Sequence, residues 1–101
     1  MRPSLYHLSE EAIEAAALAE SKGNEEEARQ CYLRAADLQE RWAASMSWAD
    51  RPRTRSTFTR SAACLYLQAG AIDDALRLAQ ILTTTDGVTP AEVVKGYEII
   101  A

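Results

Sequence analysis

The stretch DRPRTRSTFTR places Arg51, Arg53, Arg55 and Arg60 around the predicted start of one helix. Guanidinium groups beside the free amides of a helix N-terminus suit an anion: a phosphate, an acidic peptide or a nucleic-acid backbone. Thr54, Ser56 and Thr57 add hydroxyls to the same segment. The competing role for these arginines is to pair with acids of the preceding helix, such as Glu40 or Asp50, or to stay solvated. Base stacking is not supported, because Phe58 is the one aromatic residue among them.

Just before the arginines lies QERWAASMSWADR, with Trp42, Met46 and Trp48 following Leu38. Large apolar and aromatic groups are what protein interfaces use. Leu38, Trp42 and Met46 also fit an ordinary helical core stripe, whereas Trp48 falls off it and is the better interface candidate of the two tryptophans.

Catalytic chemistry finds few footholds. The single histidine, His7, stands near the N-terminus, and no well-placed Ser, His and Asp set can be assembled around it. There is no glycine-rich phosphate loop, no HExxH and no CxxC. Cys31 and Cys64 have neither metal-site nor redox spacing and lie within apolar helical patterns, as reduced core cysteines do. The expectation is a protein that is not an enzyme and uses no cofactor, metal or small-molecule substrate.

The chain has 101 residues, of which 48% are apolar, enough for one packed domain. Its net charge of −4 is uneven. Residues 1–50 carry five basic and ten acidic side chains, a net −5, and residues 51–101 carry six and five, a net +1. An acidic chain argues against general nucleic-acid binding, which needs a basic field. No apolar run approaches the ~20 residues that cross a bilayer, and the N-terminus does not read as a secretory signal. These features predict a cytoplasmic location.

The helices that position these groups follow from apolar spacing. Ser9 can cap a first helix, although Leu5 and Leu8 fit its stripe and would start it near Ser4. Gly23 ends it. Asn24 caps a second helix whose stripe runs Ala28, Cys31, Ala35, Leu38, Trp42, Met46 and Ala49. Those steps predict one long helix over 25–49, about 37 Å at ~1.5 Å per residue. Pro52 stops it, and Asp50 or Thr54 caps the third, which Gly70 ends. A fourth runs from Ala71 to Leu82. Thr89, Pro90, Ala91 and Glu92 form a capping box for the last, near 90–100. That helix presents Val93, Val94, Tyr97 and Ile100, and covers the preceding pair.

Two segments share their punctuation. KGNEEEARQCY at 22–32 and AGAIDDALRLA at 69–79 each carry a glycine, two residues, two acids and an alanine, with Gly23 and Gly70 spaced by 47. Twelve residues before each of Ala28 and Ala75 stand Ala16 and Ala63, so each unit can bring two alanine-bearing helices close across a glycine reversal. ALAESKGNEEEARQCYLRAADL and ACLYLQAGAIDDALRLAQIL resemble the tetratricopeptide repeat family. Its small-residue positions map onto Ala16, Ala28 and Ala35, then onto Ala63 and Ala75, with Leu82 at the third position of the second unit. Tyr66 and Tyr32 match its aromatic positions, while Ala19 and Ala79 stand at their counterparts. The closing proline is missing at Glu40 and Gly87, and the period exceeds the family's 34 residues.

The resemblance covers about residues 9–86. It implies an all-α chain of two antiparallel hairpins, at about 9–50 and 53–84, with a capping helix at about 90–100. A four-helix bundle with a cap helix would give a similar pattern. The functional expectation is a protein–protein adaptor or self-assembling scaffold, with a protein partner or a second copy meeting the uncovered half of the long helix, Leu38 to Ala49. The alternative is an anion- or nucleic-acid-binding regulator using Arg51, Arg53, Arg55 and Arg60.

Overall fold

A computed structural model describes residues 4–101. The fold is all-α, with no strand among the described residues. Five helices follow one another: α1 Leu5–Ser21, α2 Glu25–Ala44, α3 Pro52–Gln68, α4 Ile72–Thr84 and α5 Pro90–Ile100. Each packs on the next in chain order, and α5 also touches α3. The result is a slab of 41 × 40 × 18 Å.

Both hairpins turn in the same way. Gly23 and Gly70 adopt φ +75° and +77°, the left-handed region that a side chain disfavours. After α1 the Asn24 amide donates to the Ala19 carbonyl (2.9 Å), and the Gly23 amide to Glu20 (3.0 Å). After α3 the Ala71 amide donates to Tyr66 (2.9 Å), and the Gly70 amide to Leu67 (3.0 Å). These are two copies of a Schellman closure, which satisfies the helix's last carbonyls while reversing the chain. The repeated clause therefore encodes a repeated turn.

The alanine positions read from the sequence line the core. Ala16, Ala35, Ala63 and Ala75 are fully buried, and Ala28 nearly so, in one cluster with Tyr32, Leu65, Tyr66 and Leu78. With only methyl groups between them, helix backbones approach closely, and the core depends on contact more than on large side chains.

Helix α1 takes the second of the two starts left open, and helix ends differ from the sequence expectation in three further places. Ser4, not Ser9, caps α1: its Oγ accepts from the His7 amide at 3.0 Å. Ser9 is buried inside the helix, where its hydroxyl donates to the Tyr6 carbonyl (2.7 Å) and accepts from Gln39 across to α2 (3.4 Å). Helix α2 stops at Ala44, five residues before the predicted 49. The Ser45 hydroxyl donates to the Trp42 carbonyl at 2.6 Å, and Ser47 Oγ accepts from the amides of Ala49 and Asp50. Local serine hydrogen bonds of this kind compete with helix propagation. Neither Asp50 nor Thr54 caps α3; Arg51 occupies the cap position without a side-chain bond, and Pro52 opens the helix. Likewise Thr89 precedes α5 without a side-chain cap, so the predicted capping box is not formed.

The last helix is also rotated relative to expectation. Gly96, rather than Val94, Tyr97 and Ile100 of the expected stripe, lies at its contact with α4, while Val93 of that stripe is half-buried. A Cβ placed on Gly96 would stand 3.0 Å from the Ala79 carbonyl oxygen, from Leu82 Cβ and from Thr83 Cγ2. Ile99 packs on the core, and Glu92 reaches Arg60 on α3 at 2.9 Å. Gly96→Leu is expected to push α5 off α4 and cost about 1–3 kcal/mol, since backbone and Cβ atoms cannot swing aside. Chemical denaturation together with amide exchange of residues 90–100 measures it.

Candidate functional site

The segment 38–60 was the sequence's candidate surface, and the fold uses much of it internally. Leu38 is buried within the protein and is withdrawn as an interface residue. Trp42 joins an aromatic trio: its ring centroid lies 6.4 Å from Tyr6 and 6.3 Å from Phe58, and Tyr6 and Phe58 meet edge-on at 5.6 Å. Rings at these distances and tilts attract beyond simple burial. The trio joins α1, α2 and α3, so Trp42 is shared among helices rather than projecting from an overhang.

Met46 and Trp48 are half-buried in the connector that replaces the predicted end of α2. Arg55 organises that connector. Its guanidinium lies 4.7 Å from the Trp48 ring centroid, a cation–π contact, and its Nη1 donates to the Met46 carbonyl at 2.6 Å. Trp48 thus folds back onto α3.

The four arginines divide into two pairs. Arg55 is engaged as described, and Arg60 is paired with Glu92. Arg51 and Arg53 are exposed and form no ion pair among the described residues. The hydroxyls expected to assist an anion are partly committed as well: Ser56 donates to the Pro52 carbonyl at 2.6 Å and Thr57 to Arg53 at 3.0 Å. Trp42, Met46 and Arg51 do come together, with Ser45, Ser47 and Asp50, around an open depression of about 410 Å³.

Glu40, considered from the sequence as a partner for that cluster, pairs elsewhere. Its carboxylate accepts both Nη atoms of Arg77 on α4, at 2.8 and 2.9 Å, and the Tyr66 hydroxyl of α3 at 2.8 Å. Arg77 also reaches Asp74 at 3.2 Å. The Arg77 hydrogen bonds hold the Glu40 carboxyl below the usual range, with burial opposing and the Tyr66 hydroxyl adding to the effect. Burial, then the bond to Glu40, pushes the Tyr66 phenol up. This network pins α2, α3 and α4 together.

His7 lies on the surface beside Glu11 at 3.1 Å, and both cysteines are free and half-buried. Among the described residues no group of three or more His, Cys, Asp or Glu side chains is placed to hold a metal ion. No helix there is long and apolar enough to cross a membrane.

The surface that sequence reasoning missed is the outer side of α5. Val94 is 57% exposed, Tyr97 59% and Ile100 41%. Their spacing puts them on one stripe, which exposed Glu98, four residues after Val94, borders. Lys95 and Glu98 lie outside the stripe and pair with each other at 3.5 Å. Gly96 was the available signal: an interior helix glycine with no capping role marks a close approach by another backbone. Comparison with known proteins returned no matching family model, no matching curated protein and no matching solved structure.

Proposed function

We propose that this protein is a non-enzymatic, tetratricopeptide-like helical-hairpin module that acts through protein–protein contact. The observation that carries the reading is the outer face of α5, where Val94, Tyr97 and Ile100 stand about half exposed while the helix's other side is packed on α4. Contiguous apolar surface of this kind is costly to leave in water and marks a contact site. Tyrosine suits such a role, having a large amphipathic ring and few rotatable bonds. The two equivalent Schellman turns and the buried alanine seams support the repeat-like architecture. Free cysteines accord with a cytoplasmic, reducing location.

A photo-crosslinking amino acid at position 97, in cells that make the protein, tests this reading. Adducts with protein are expected at position 97 and not at exposed Glu14 on α1. Absence of adducts at position 97 would contradict it.

A further inference from the structure

We infer that the cavity between α2, α3 and α4 is a binding site for water, and that the bound water joins Glu40 of α2 to Arg55 and Thr59 of α3. The inference concerns the interior of the fold and does not rest on the contact reading of α5.

The cavity measures about 70 Å³. Glu40, Arg55 and Thr59 line it, Trp48 forms a wall, and Leu78 and Ile81 close it from α4. One water needs on the order of 10–15 Å³ of such space, and small-molecule pockets start near ~300 Å³. The size therefore suits a few waters and is far too small for an organic ligand.

The hydrogen-bonding groups of the lining are incompletely used. Arg55 lays its guanidinium on the Trp48 ring and gives Nη1 to the Met46 carbonyl. Its Nε is buried and finds no acceptor among the described residues. A charged N–H shut away without an acceptor is costly, so buried donors of this kind are met by a partner. On the α2 side, the Glu40 carboxylate takes two hydrogen bonds from Arg77 and one from Tyr66. A carboxylate has about four acceptor positions, so capacity remains. Thr59 Oγ1 gives its proton to the Arg55 carbonyl at 2.7 Å and keeps its own lone pairs. The lining thus supplies a donor from Arg55 and acceptors from Glu40 and Thr59. Water is the complement: it accepts from Arg55 Nε and donates to Glu40 and Thr59.

Mixed charge decides against other occupants. A cation would lie against the Arg55 guanidinium, and an anion against the Glu40 carboxylate. An apolar guest would leave all three polar groups unmet. A neutral molecule that both donates and accepts incurs none of these penalties. The water also has a structural consequence. Arg55 holds the connector after α2, and Glu40 is bound to Arg77 of α4. Joining the two ties that connector to α4 as well as to α3.

A high-resolution crystal structure of the wild-type chain tests the site. Density for a water is expected at hydrogen-bond distance, about 2.7–3.2 Å, from Arg55 Nε, a Glu40 carboxylate oxygen and Thr59 Oγ1. Thr59→Val keeps the shape of the side chain and removes one acceptor. In that variant the density is expected to vanish or to move away from position 59, with circular dichroism reporting that the chain is folded. An empty cavity in the wild type, an Arg55 Nε bonded directly to Glu40, or an ion in place of the water would overturn the inference. Density unchanged in folded Thr59→Val would overturn it as well. If that variant does not fold, the wild-type structure decides the question alone.

Discussion

Leu82→Ala is expected to lower stability by about 2–5 kcal/mol, a fall in melting temperature of roughly 10–30 °C for a chain of this size. Leu82 is fully buried and is the bulkiest side chain without exposed surface. Elsewhere the fully buried positions are mostly alanines, so the core holds few large apolar groups to share the loss. Its Cβ stands 3.0 Å from the point where a Cβ on Gly96 would sit, directly beneath α5. Truncation opens a cavity under the helix that presents Val94 and Tyr97. Two effects should therefore appear together: a lower thermal midpoint, and faster amide exchange across residues 90–100. Leu67→Ala provides the contrast, since Leu67 is 38% exposed and a surface change of that kind should stay within about 0.5 kcal/mol. Equal losses at the two positions would mean that Leu82 does not hold α5 in place.

Glu40→Ala should cost about 1.5–3 kcal/mol, the range for losing hydrogen bonds to a charged group. Tyr66 is 4% exposed, and its hydroxyl loses its acceptor when Glu40 is removed. Arg77 retains Asp74. The same contact predicts a pH dependence. Because Arg77 holds the folded-state pKa of Glu40 below its ordinary 4.5, the unfolded chain binds the proton more tightly than the native one. The stabilisation is complete above the unfolded value and is lost as pH falls through the lower native value. Denaturation midpoints between pH 7 and pH 2 should decline less steeply for Glu40→Gln than for the wild type. Parallel curves would show that Glu40 does not contribute to acid sensitivity.

Much of the architecture was legible because it is local. Gly23 and Gly70 each end a helix through bonds spanning a few residues, and the alanines at 16, 28, 63 and 75 mark where hairpins close. The end of α2 was not legible from periodicity. Trp42, Met46 and Ala49 continue an apolar helical pattern, but Ser45 and Ser47 capture nearby backbone groups and halt the helix. The pattern records which residues prefer burial and does not record this competition.

The candidate site was obscured by distance along the chain. Arg60 finds Glu92 thirty-two residues away, and Glu40 finds Arg77 thirty-seven away. Neither pairing has a sequence signature. Helix α5 misled for a different reason. Its most apolar stripe was expected to face inward, yet the close approach permitted by Gly96 and the Arg60–Glu92 ion pair turn the other side toward the core. Val94, Tyr97 and Ile100 are left outside, while Val93 is half-buried and Ile99 packs on the core. That rotation moves the proposed contact surface from the end of α2 to α5.

Photo-crosslinking compared at positions 97 and 48, in cells that make the protein, tests this relocation most directly. The account predicts adducts with protein at position 97 and none at 48. Adducts at 48 with none at 97 would contradict it and return the contact to the tryptophan segment.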